Sequence, residues 1–139
     1  IFDMERFTSF EGDTGPYILY TIVRIKSILA KFDQITGNKE NISDHKILPA
    51  STPSERELML KLSRYSDMIT AAYEELAPHR ICQYLYELAD AFSTFYHDTK
   101  IITEEDKQRQ YSWIALITLV HDIMLAGVDL LGIEAPERM

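Results

Sequence analysis

The chain has a single cysteine, Cys82, among its 139 residues. That excludes an internal disulfide and predicts a reducing, cytoplasmic setting. Glycine is also scarce. The five glycines are scattered, so no glycine-rich loop is present to cradle a phosphate. His45, His79, His97 and His121 stand far apart and form no His-x-x-x-His or Glu-x-x-His pair, so no metal site is expected. No uninterrupted apolar run approaches the roughly 20 residues of a membrane helix, and no membrane association is expected. The start, Ile1-Phe2-Asp3-Met4-Glu5, lacks the basic end and apolar centre of a signal peptide. It also lacks an initiating methionine, which predicts a piece of a longer polypeptide. An excess of positive charge is missing too: 14 Lys and Arg face 22 Asp and Glu, a net charge of −8. Such a balance argues against a general nucleic-acid binder, DNA binders included, because phosphate contacts need a basic footprint.

Catalytic groupings are equally hard to find. Glu104-Glu105-Asp106 is the acidic first turn of a helix, where the dipole favours negative charge. Cys82 has His79 one turn away, but a half-buried, inert thiol explains that spacing better than a nucleophile does. No catalytic residue is assigned and no cofactor is expected in this stretch of chain.

What the sequence does have is helical periodicity. From about Thr14 to Asp33, Ile18, Ile22, Ile25, Leu29 and Phe32 step by fours and threes into one apolar stripe. Thr14 is suited to cap this helix, with Gly15 and Pro16 in its first turn. Residues 36–51 hold turn formers without periodicity and read as a surface loop. Thr52, Pro53 and Glu55 form a capping-box start for a second helix ending near Arg64. A third covers about Ser66 to Leu76. Pro78 opens a fourth, with Ile81, Leu85, Leu88, Phe92 and Phe95 at helical spacing. Thr103 caps a fifth, which carries Trp113, Ile117, Val120 and Met124, ends near Gly127, and precedes a short last turn. The expected fold class is all-α, one domain over residues 1–139, a bundle of about five helices.

A second face of the first helix carries Tyr20, Arg24, Ser27 and Lys31. Tyr20 and Arg24 are neighbours one turn apart, a flat ring beside a fixed positive charge. That pair suits an unpaired nucleotide, the ring stacking on a base and the guanidinium meeting a phosphate or base edge. The same spacing also describes a ring packed on an arginine stem. Tyr96 follows the core residue Phe95 at the end of the fourth helix and must point elsewhere. Tyr84 lies outside the apolar stripe of that helix and is expected to be partly exposed.

Three motifs carry a family resemblance. Phe10-Glu11-Gly12-Asp13-Thr14-Gly15-Pro16-Tyr17, with Tyr20 and Arg24, resembles the start of the anticodon-binding domain of arginyl-tRNA synthetases. Ala77-Pro78-His79-Arg80, running through Gln83-Tyr84-Leu85-Tyr86 to Phe95-Tyr96-His97, is similar to the middle of that domain. Leu130-Leu131-Gly132-Ile133-Glu134-Ala135-Pro136-Glu137-Arg138-Met139 resembles its end. The resemblance implies a C-terminal helical domain that holds the anticodon loop of arginine tRNA, in a monomer whose catalytic domain, using ATP and Mg2+, lies elsewhere in the full-length chain. It also implies that Tyr20, Arg24, Tyr96 and the terminal Met139 contact the anticodon. Three departures from the family pattern touch its details. Ile18-Leu19 replaces a common Leu-Gln, Ser93 a common asparagine, and Trp113 an arginine found in many members. Two other readings stand beside this one: a helical protein-interaction domain without RNA, which the acidic charge suits, and the related domain of another class I synthetase such as cysteinyl.

Overall fold

A computed structural model describes residues 14–37 and 46–132. Among these residues the chain is all-α: α1 (Thr14–Thr36), α2 (Pro53–Ser63), α3 (Tyr65–Glu75), α4 (Pro78–Asp98) and α5 (Lys107–Leu130). α4 is the central helix, packing against all four others, while α1 lies against α4 and α5.

The helical stripes expected from periodicity meet in one core. Ile18, Ile22, Ile25 and Phe32 of α1 join Leu85, Leu88, Phe92 and Phe95 of α4 and Trp113, Ile117, Val120 and Met124 of α5. Leu58 and Leu62 of α2 close it at one side. α3 contributes least, burying only Ala72 fully.

Helix ends differ from the sequence expectation at four places. Thr14 lies inside α1 rather than ahead of it, and α1 runs on to Thr36. There the Thr36 hydroxyl donates back to the Phe32 carbonyl, and Gly37 turns the chain at a φ of 67°. α5 is capped by Asp106, not Thr103, because the Asp106 carboxylate accepts from the N–H groups of Gln108 and Arg109. It passes through Gly127 without a break and ends at Leu130. Gly127 serves packing instead. A Cβ there would lie 2.7 Å from Leu85 Cδ2, so the missing side chain lets α5 approach α4 closely.

α5 departs from the reading that no apolar stretch approaches membrane length. By length and composition it is apolar enough to cross a membrane. In the bundle that apolarity fills the core from Trp113 to Val128.

The start of α2 shows how a polar group is tied down. Thr52 accepts from the Glu55 N–H, as the capping box requires. The Glu55 carboxylate then reaches one residue past the cap, accepting from both the N–H and the hydroxyl of Ser51. Glu55 is fully buried, and its second oxygen faces Arg109 Nη1 at 3.8 Å. Arg109 in turn donates to the Pro49 carbonyl, and the Leu48 N–H donates to Ser112. Residues 46–51 are non-helical and are moored along α5 by these bonds.

One residue sits against its backbone preference. Leu76 ends α3 at a φ of 52° with 85% of its surface exposed. A left-handed leucine costs roughly 1–2 kcal/mol, and exposure leaves nothing to offset it. Leu76→Gly is expected to raise unfolding stability by about 1 kcal/mol, read as a higher denaturant midpoint at constant slope. A loss of stability would show that the leucine side chain contributes packing after all.

Candidate nucleic-acid interface

The exposed side of α1 follows from its sequence. With the isoleucine stripe in the core, Tyr20, Arg24, Ser27 and Lys31 are left facing water, and Tyr20 is 51% exposed. α1 carries three cations, Arg24, Lys26 and Lys31, against one carboxylate, Asp33. The net charge of −8 therefore does not extend to this helix.

The packing of α4 against α1 brings Tyr96 to Arg24. The Arg24 guanidinium carbon lies over the Tyr96 ring, 4.6 Å from its centroid. That is a cation–π contact between residues 72 positions apart. Beneath it, Tyr96 stacks almost parallel to Phe92, with centroids 5.8 Å apart and an 11° interplanar angle. Phe92 is fully buried, so the layers Phe92, Tyr96 and Arg24 lead from the core to the surface. A guanidinium resting over a ring keeps N–H donors for a phosphate or a base. Tyr20 lies one turn earlier on the same helix as Arg24.

Further along the seam, the Tyr17 hydroxyl donates to Ser93 Oγ at 2.9 Å. The Tyr17 ring lies 5.5 Å from that of Tyr86, tilted by 56°. Sequence reasoning assigned no role to Tyr86 or to this bond. The only available signal was tyrosine at the α1 start and on α4, and nothing local pairs them.

Three of the four expected contact residues, Tyr20, Arg24 and Tyr96, fall within this α1–α4 seam. Met139 lies outside the described residues. Tyr84 does not join them. It is buried rather than partly exposed, and its hydroxyl donates to the Lys61 carbonyl at 2.7 Å. Burial, helped by the neighbouring Tyr65, pushes its phenol up to about 12. Tyr84 is thus a core tyrosine with a satisfied hydroxyl.

Acidic groups gather where α4 faces α2. Glu87 and Asp90, with Glu57 of α2, line a shallow cleft between α2 and α4. Glu87 accepts from Gln83 and pairs with Lys61 at 2.9 Å, which together hold its carboxyl below the usual range. Cys82 is half-buried, and burial raises its thiol to about 11, which suppresses the thiolate at neutral pH. Among the described residues no group of three or more His, Cys, Asp or Glu could hold a metal ion.

A sequence model of the DALR anticodon binding domain family matches residues 18–139. The arginine–tRNA ligase of Agathobacter rectalis is 54% identical over 139 residues, covering all of this chain and 23% of that protein. The arginine–tRNA ligase of Alkaliphilus oremlandii is 51% identical over the same span and the same shares. Among solved structures, Thermus thermophilus arginyl-tRNA synthetase superposes with a TM-score of 0.77 at 36% identity, covering 94% of this chain and 22% of that one. The chain thus spans about a quarter of the length of the curated relatives it matches.

Proposed function

Because the chain belongs to the DALR anticodon-binding domain family, we propose that it recognises the anticodon loop of arginine tRNA. On this reading it is one domain of a monomeric, cytoplasmic arginine–tRNA ligase. The observation that carries it is the α1–α4 seam, where exposed Tyr20 adjoins Arg24 and Arg24 rests on Tyr96. A ring and a flat cation on one face suit an unpaired base and its phosphate. The local basic balance of α1 removes the objection raised by the net charge. Met139 is added to the contact set on the family resemblance alone.

Arginine, ATP and Mg2+ belong to the rest of the full-length ligase. The residues of this domain select the tRNA and position it; they neither accept nor donate a proton in the reaction. The selective step is therefore binding, and its free energy appears in the KM for tRNA.

The direct test charges arginine tRNA and a version carrying an unrelated anticodon with the full-length ligase. The exchange is expected to raise the tRNA KM by about tenfold or more, equivalent to losing one good stack. Equal KM values for the two tRNAs would favour the helical protein-interaction reading instead.

A further inference from the structure

We propose that Tyr86, braced by Tyr17, is a second stacking platform for an unpaired base of the same RNA loop. This rests on the RNA-binding reading above and extends it by one site.

Three observations meet at this residue. Tyr86 is 38% exposed on the α1 side of α4, so part of its ring is open to a ligand. The ring is braced by contact with Tyr17 at 5.5 Å, and Tyr17 is itself anchored by its hydroxyl bond to Ser93. A ring immobilised before binding loses little entropy when a base stacks on it. The carboxylate next to Tyr86 in sequence is also paired. Glu87 lines the cleft toward α2 and pairs there with Lys61 at 2.9 Å, while Asp90 sits one helical turn from Tyr86.

The spacing fits a single strand. Tyr17 precedes Arg24 by seven residues, about 10 Å along α1. Stacked nucleotides rise roughly 3.4 Å each, so the two stations lie about three stacked nucleotides apart, and fewer if the bases are splayed. One anticodon loop can reach both at once. The base held at Tyr86 differs from the one held at Tyr20 and Arg24. Stacking tolerates any base, so this station adds affinity and register without reading sequence.

The test compares Tyr86→Leu and Tyr86→Phe in the full-length ligase, using arginine tRNA and tRNAs with one abasic nucleotide at each anticodon-loop position in turn. Tyr86→Leu is expected to raise the tRNA KM about fivefold to tenfold at unchanged kcat, and Tyr86→Phe to keep the KM of the parent. At one loop position the abasic substitution is expected to erase the difference between Tyr86→Leu and parent. That position differs from the one coupled to Arg24. A Tyr86→Leu penalty that persists at every abasic position would reveal a packing effect and overturn the proposal. So would an unchanged KM in Tyr86→Leu while Arg24→Ala raises it. An unchanged KM in both variants would instead remove the RNA-binding reading on which the platform rests.

Discussion

Arg24→Ala in the full-length ligase is expected to raise the KM for arginine tRNA by about tenfold or more, with kcat little changed. Tyr20→Ala is expected to do the same, since a base stacked on an aromatic ring contributes about 1–3 kcal/mol. The uneven effect on KM and kcat follows from where the residues lie. On the proposed reading they meet the tRNA and not the reacting atoms, so amino-acid activation is expected to be untouched wherever it can be measured without tRNA. Arg24→Lys makes a sharper comparison. Lysine keeps the positive charge but lacks the planar guanidinium that sits over the Tyr96 ring. Its KM is expected to fall between those of parent and alanine variant, converging on the latter as salt screens the charge. Steady-state charging at two salt concentrations reads all three. An unaltered KM in both alanine variants would return Tyr20 and Arg24 to simple surface packing.

The second large effect is on stability. Phe92 is fully buried, lies in the central helix, and stacks beneath Tyr96. Phe92→Ala removes a large, fully buried side chain from the core of the bundle. Such truncations cost about 3–5 kcal/mol, a large share of the roughly 5–15 kcal/mol of a typical domain. Denaturant unfolding is expected to show the loss as a lower midpoint at constant slope. Phe92→Leu keeps most of the volume and is expected to lose less. A loss below about 1 kcal/mol for alanine would mean that α4 moves in to fill the space. In that case Tyr96 shifts too, and the tRNA KM rises with it.

Local information recovered the helices well, because their stripes repeat every three or four residues. Ile18, Ile22 and Ile25, and Leu85, Leu88 and Phe92, are buried where periodicity places them. Helix ends were less legible, since several residues nearby compete for each cap. Thr103 and Asp106 both suit the start of α5, and only the bonds to Gln108 and Arg109 choose between them. Tyr84 shows a different limit. Its position off the apolar stripe suggested exposure, but α2 covers it and supplies the Lys61 carbonyl. The candidate site was legible residue by residue, through the resemblance, at Tyr20, Arg24 and Tyr96. Its organisation was not. The cation–π contact and the Tyr17–Ser93 bond join residues more than 70 positions apart, and no local pattern encodes such a pairing.

The order of the helices along the chain sets when this surface can exist. α2, α3 and α4 are consecutive and pack as they follow one another, α3 and α4 meeting at the bend after Leu76. α1 is made before them, yet its partners are α4 and α5. During synthesis it must wait more than 50 residues, several seconds at ordinary elongation rates, before its isoleucine face finds cover. Both halves of the seam come together only when that docking occurs. A nascent chain stalled before α4 carries Tyr20 and Arg24 but has no Tyr96 ring beneath the guanidinium. Formation of the seam is therefore a late event in synthesis.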